Sequence, residues 1–272
     1  MTQAEAASQT RALTPPSPSL ATRTTNWGLT LVVVLLLFMA FKPAKMAELG
    51  LLIDNWPNTV EYTKGYLKPN FKDLFTVYLP QMWVTISIAL WGTVASIVLA
   101  LPLALLGSSN IAPPWIVQPV RRFMDLLRSM NEIVLATAFF VAVGPGALAG
   151  VLAMALHNAG VLGKLFSEAV ESIDKAPVEG VRATGGSRLH EIVWGVLPQV
   201  MPLWTSFALY RFESNVRSST VLGLIGAGGI GFVLFENIKS FDYSVTAAIV
   251  IVIVVTVMLI DMISAQIRKR LM

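Results

Sequence analysis

The sequence contains no cysteine and only two histidines. A disulfide framework or thiolate metal site is therefore excluded, and His157 and His190 form no zinc-ligand spacing. No Ser-His-Asp set and no P-loop lysine motif is present, so the chain reads as catalytically empty. Charge is scarce as well. Asp, Glu, Lys and Arg make up 13% of the 272 residues, about half the share in a soluble domain. In their place stand apolar residues, at 55% of the chain, with a mean hydropathy of +0.67. This balance is that of a membrane protein.

A bilayer core of roughly 30 Å needs about 20 apolar residues in a helix. Ser244 to Ala265 has Asp261 as its one charge, Tyr78 to Leu106 is long enough to span with tilt, Gly146 to Leu162 is charge-free, and Ile192 to Tyr210 makes a fourth run. Trp27 to Phe41 is a shorter first span, for which a cleaved signal peptide is the alternative. With the N-terminus placed in the cytoplasm, twelve of the 20 basic residues fall in inside segments, which sets the orientation by the positive-inside rule. The net charge of +4 thus reads as topology and not as nucleic-acid binding.

A further span needs help from charged residues. Ile133 to Val143 is too short to cross alone, so the helix is expected to start near Gln118 and to carry Arg121, Asp125, Arg128 and Glu132 as one polar stripe. Such a stripe faces a water-filled cavity, a partner, or solvent on a cytoplasmic extension. His157 beside Asn158 reads as an interhelical hydrogen-bonding position. GAGGIG from Gly226 fits a dinucleotide-binding pattern but lacks a preceding strand; close packing of helices or of a re-entrant segment accounts for its glycines.

The stretch VEGVRATGGSRLHEIVWGVLPQ from Val178 is charged and punctuated between apolar runs. Pro177 suits a first helical turn, Gly185-Gly186 supplies a residue of positive φ that ends the helix, and Ser187 caps a second helix with Glu191 near its start. A helical elbow on the cytoplasmic side follows, the alternative being an amphipathic connector on the lipid surface.

Glu179, Gly185 and Leu197-Pro198 resemble the coupling motif of permease subunits in ATP-binding-cassette importers, with Gly180, Val181 and Gly195 departing from its usual residues. Those departures agree with the phosphonate-import permeases, which PVEGVRATG from Pro177 and GVLPQVMP from Gly195 resemble. QPVRRFMDLLRSMNE from Gln118, SEAVESID from Ser167 and YRFESNVRSSTVLGLIGAGGIG from Tyr210 are similar to the same branch. The likeness runs over most of Tyr78 to Arg270. It implies an all-α polytopic bundle of about six transmembrane helices, the type I importer fold, in a bacterial inner membrane with both termini cytoplasmic. In that reading residues 1–26 form a cytoplasmic tail, 27–41 the first span, 42–77 an extracytoplasmic segment, 78–265 the permease core with its elbow at 177–191, and 266–272 a basic tail. The implied partners are a second copy, two cytoplasmic ATPase subunits, an extracytoplasmic phosphonate-binding protein and membrane lipid. No cofactor belongs to this chain; ATP and Mg belong to the ATPase. Glu179, Gly180, Arg182, Gly185 and Gly186 are the residues expected at the ATPase.

The cargo class directs attention to YRFESNVRSST. Arg211, Glu213, Asn215, Arg217 and Ser218 are expected near the outer part of the membrane domain, where a guanidinium suits phosphate-like oxygens and Glu213 keeps the hold weak. Arg217 is the leading candidate for the pathway, an Arg211 to Glu213 or Glu213 to Arg217 ion pair being the alternative. Arg128 and Glu132 are expected at the cytoplasmic mouth of a dimer. A secondary transporter or channel without ATPase partners is the rival class, for which no internal repeat is found.

Overall fold

Long apolar runs with few charges leave the backbone one way to satisfy its hydrogen bonds in lipid, and every regular element among the described residues is helical. The computed structural model describes residues 20–271. The chain divides into two compact units, meeting in sequence at Glu61 and Tyr62.

The first unit holds α1, Leu20–Phe41, whose side chains from Trp27 to Phe41 are exposed on every face. The helix begins at Leu20, ahead of the apolar run, so Thr22–Phe41 is long enough to cross a bilayer. The rest of the anticipated N-terminal tail lies outside the described residues. Short helical turns at Met46–Gly50 and Leu51–Asp54 then lead into α2, Trp56–Tyr66.

The second unit carries the packed core. A π turn at Leu74–Tyr78 opens into α3, Leu79–Gly107, followed by α4, Pro114–Ser129, α5, Glu132–Val143, and α6, Ala147–Glu171. The long helices α3 and α6 meet through small residues. A Cβ at position 92 would lie 2.9 Å from that of Met154, and α6 approaches α4 as closely, a Cβ at 160 lying 2.7 Å from the backbone oxygen of Met124. Where lipid tails are as apolar as leucine, such close approach is what helix pairs gain from.

The chain then forms α7, Lys175–Ala183, and a helical turn at Arg188–His190 running through a π turn, Glu191–Val196, into α8, Leu197–Leu222. A short α9, Ile230–Lys239, precedes the last helix, α10, Tyr243–Leu271. Between α8 and α9 the backbone turns through Gly226, Gly228 and Gly229, all at positive φ. Any side chain at 231 would collide with the Thr220 carbonyl, so close backbone packing accounts for the last glycine of GAGGIG.

The register of α3, α6 and α8 is fixed by polar bridges. Trp204 Nε1 donates to the Phe166 carbonyl at 3.2 Å; Asn158 Nδ2 donates to Asn215 Oδ1 at 2.9 Å, and Asn215 Nδ2 to Thr93 Oγ1 at 2.8 Å. Ser219 Oγ donates to the Thr85 carbonyl at 3.0 Å, and the Ile230 amide to Thr85 Oγ1 at 2.9 Å.

Two expectations are corrected. The span carrying Arg121 to Val143 is not one continuous helix: α4 and α5 meet at a bend of 87° around Met130 and Asn131. Asn131 Oδ1 accepts the Ile133 amide at 2.8 Å and so starts a new helix. His157, expected to bond between helices, does so at this break, its Nδ1 lying 2.8 Å from the Met130 carbonyl. The second correction concerns depth. Asn215 lies level with the middle of α3 and α6, so the charged stretch Arg211 to Arg217 sits midway along the core helices and not at their outer ends.

Candidate functional site

The elbow is built from helix-end chemistry. Asp174 Oδ1 accepts the Ala176 amide at 3.1 Å and opens α7. At the other end the Gly185 amide donates to the Arg182 carbonyl at 3.0 Å and the Gly186 amide to the Val181 carbonyl at 3.3 Å, with Gly185 at φ 81°. This is the paired closure of a Schellman turn, and it needs the left-handed residue that Gly185 provides. Ser187 follows at the cap, its Oγ 2.8 Å from His190 Nδ1.

The sequence placed Glu191 near the start of the second helix but gave it no partner. It accepts two hydrogen bonds from Arg182, at 2.8 and 3.0 Å, and so binds α7 to the base of the ascending helix. The hydrogen bonds and charge of Glu191 raise the Arg182 pKa above its ordinary value, which keeps the guanidinium charged. Gln199 fastens the opposite end. Its Oε1 accepts the Asp174 amide at 3.1 Å, while Nε2 donates to the carbonyls of Asp174 and Gly195 at 3.2 and 2.6 Å.

Gly195 shows why one motif departure is tolerated. A Cβ there would lie 2.9 Å from the Cα of Val178, so α7 rests directly on the backbone of the π turn. Glu179 and Gly180 are exposed, with nothing within 4 Å of a Cβ built at 180. A cavity of about 270 Å³ opens between the two arms, with Val178, Ile192 and Val196 among its apolar walls and Lys175, Glu179 and Arg188 among its charges. The elbow is therefore a braced unit with one open face. Asp174, Gln199 and the role of Gly195 were missed from sequence. Asp174 followed by Ala176-Pro177 was a readable cap, whereas the clamp by Gln199 spans 25 residues and had no local signal.

The charges of α8 do not pair as their spacing proposed. Glu213, 6% exposed, is joined to Arg268 of α10, and Arg217 Nη1 reaches both carboxylate oxygens of Asp261 at 3.1 and 3.2 Å. Arg211 and Glu213, two apart on the helix, point away from each other; Glu213 and Arg217, four apart, could have met, but α10 runs alongside with a guanidinium and a carboxylate that take them instead. Asn215, 2% exposed, is held between Thr93 and Asn158, and Ser218 is half-buried beside it on the same helix. Arg211 is different: its Nε is buried without an acceptor.

The polar stripe of α4 and α5 is likewise shared out. Arg121 bonds to Glu171 and, at 2.9 Å, to the Gly107 carbonyl, closing the ends of α3 and α6 together. Arg128 pairs with Asp125 at 2.9 Å on the exposed side of α4. Glu132 lies beyond the break, in the first turn of α5. The structure therefore separates Arg128 from Glu132 and brings Glu132 into the electrostatic environment of Arg211.

Comparison with known proteins gives a consistent picture. Residues 92–272 match the family described as binding-protein-dependent transport system inner membrane component. The phosphate-import permease protein PhnE of Mycolicibacterium smegmatis is 39% identical over 264 residues, 96% of this chain and 49% of that protein, so the chain spans about half the length of that relative. The phosphite transport system permease protein PtxC of Stutzerimonas stutzeri is 38% identical over 80% of this chain and 79% of its own length. The putative cryptic phosphonate transport system permease protein PhnE2 of Escherichia coli is 58% identical over 118 residues, 43% of this chain and 97% of that protein. Among solved structures, the inward-facing MetNI methionine ABC transporter superposes with a TM-score of 0.65 at 20% identity, over 74% of this chain and 99% of that one. A bacterial ABC transporter that imports alginate gives 0.61 at 14% identity, over 90% and 99%. These last two establish the fold, that of a type I importer permease.

Proposed function

Since the chain belongs to the family of binding-protein-dependent transport system inner membrane components, we propose that it forms the membrane path of an ATP-driven importer for phosphonates or the related phosphate and phosphite anions. Relatives named for all three anions support the cargo class. In the working complex two copies of the chain enclose the path, two cytoplasmic ATPase subunits bind below, and a binding protein delivers the anion from outside. Both termini are cytoplasmic. ATP and Mg are held by the ATPase; this chain converts ATPase movement into movement of helices.

The braced elbow is the observation that carries the coupling role. With α7 closed by the Gly185 turn, joined to Glu191 through Arg182 and clamped by Gln199, a push on Glu179 and Gly180 moves α7 and the foot of α8 as one body. Pro198 and Pro202 interrupt the hydrogen-bond ladder in the first turns of α8, so the helix can bend just above the elbow. Higher up, Arg211 lies on the polar side of the path, on the helix where Glu213, Asn215 and Arg217, with Ser218 next to them, tie α8 to its neighbours; Arg128 lies toward the cytoplasmic mouth and Glu132 beyond the α4 to α5 break.

The test is reconstitution of the chain with its ATPase and binding protein. Copurification with the ATPase, and ATP-dependent uptake of labelled methylphosphonate, phosphite or phosphate, are the expected results. Uptake driven by an ion gradient without any ATPase would replace the importer by a secondary transporter.

A further inference from the structure

Most cations of the core helices have a carboxylate. Arg121 has Glu171, Arg128 has Asp125, Arg217 has Asp261 and Arg268 has Glu213. Arg211 has none: among the described residues it makes no ion pair and no hydrogen bond, and its Nε is buried without an acceptor. Its place on α8, one turn from the Asn215 bridge, is midway along the span, where an unsatisfied guanidinium is costly and where lipid cannot relieve it. Half-buried Glu132 is the acidic residue that acts on it, held beyond the range of an ion pair at the start of α5 and directly after the α4 to α5 break.

We infer that Arg211, and not Arg217, is the residue that the passing oxyanion meets, and that Glu132 competes with the anion for it. This inference rests on the importer reading above. Arg217 already has a carboxylate of its own, both oxygens of Asp261 accepting from its Nη1, so it offers an anion less unspent charge than Arg211 does. Arg211 has its planar donors free, and a tetrahedral phosphorus oxyanion presents paired oxygens that match them. A lone guanidinium at this depth would hold the anion too well for transport. Glu132 corrects that: as the anion leaves, the carboxylate takes its place beside Arg211 and repels its return. The position of Glu132 is set by the Asn131 cap and the bend, so movement of α4 against α5 alters its reach to Arg211.

The experiment uses the complete transporter in proteoliposomes with labelled methylphosphonate. An Arg211→Gln complex that still copurifies with its ATPase should show an apparent KM raised by about tenfold or more, the scale of one charge-assisted contact. Arg211→Lys should recover part of the loss, since charge returns without the fork, and Glu132→Gln should lower KM and maximal rate together because release slows. Exposed Arg122→Gln is the control expected to match the parent. An unchanged KM in Arg211→Gln overturns the inference while leaving the importer reading intact; no ATP-dependent uptake of any of the three anions by the parent overturns the importer reading itself. If Arg211→Gln does not assemble, phenylglyoxal labelling of the parent decides the matter by peptide mass spectrometry. Methylphosphonate should protect Arg211 and leave Arg122 labelled. Equal labelling of Arg211 with and without the anion, or none in either condition, overturns the inference.

Discussion

Gly195 and Gly180 lie on the same elbow and have opposite surroundings. Val178 fills the space where a Cβ at 195 would go, so Gly195→Ala must push α7 away from the π turn, an overpacking cost of about 1–3 kcal/mol. Nothing occupies the space at 180, and replacing a helical glycine by alanine gains about 0.5–1 kcal/mol of helix stability. Gly195→Ala should therefore lower the thermal stability of the purified permease, and Gly180→Ala should raise it slightly. Because Gly180 lies on the open face of the elbow proposed to meet the ATPase, the same variant should reduce substrate-stimulated ATP hydrolysis in the complex. Gly185→Val acts through the backbone instead: at φ 81° a branched side chain costs about 1–2 kcal/mol. Together with Glu179→Ala it should insert in the membrane and lose coupling; full stimulated hydrolysis by both variants would remove the elbow from the ATPase contact.

At the scale of elements, the spans were legible because hydrocarbon imposes a length and forbids scattered charge. The elbow was legible because a Gly-Gly pair followed by serine has few uses other than to end one helix and cap the next. The α4 to α5 bend was not. Gln118 to Val143 passes without a proline or glycine between Arg121 and Val143, and helical spacing of its charges favoured a straight helix. What decides the fold there is one asparagine that caps α5 and a histidine 27 positions away that engages the freed Met130 carbonyl. Asn131→Ala should consequently cost about 1 kcal/mol and let the two helices straighten. Spin labels at the exposed positions Arg122 and Val141 would report a longer separation; an unchanged distance would show that packing against α6 sets the bend without the cap.

Across the whole second unit, the partners of the α8 charges were hidden from the sequence for a reason of distance: Asp261 is 44 residues from Arg217, and Arg268 is 55 from Glu213. Only the antiparallel course of α10 brings them level, and two ion pairs along one helix seam fix its height against α8. Arg217 and Asp261 are each about half exposed, 47% and 43%, so their attraction is screened wherever water reaches them. The cost of losing one partner is larger, because a lone carboxylate or guanidinium then remains at membrane depth. Arg217→Ala or Asp261→Ala alone should reduce the yield and melting temperature of the assembled complex, whereas the double variant should recover most of both, leaving the α8 to α10 seam to its apolar packing. Transport separates this tie from a place in the anion path. If the pair only fixes the seam, the double variant takes up methylphosphonate with the KM of the parent, and a raised KM in a well-assembled double variant would return Arg217 to the path beside Arg211.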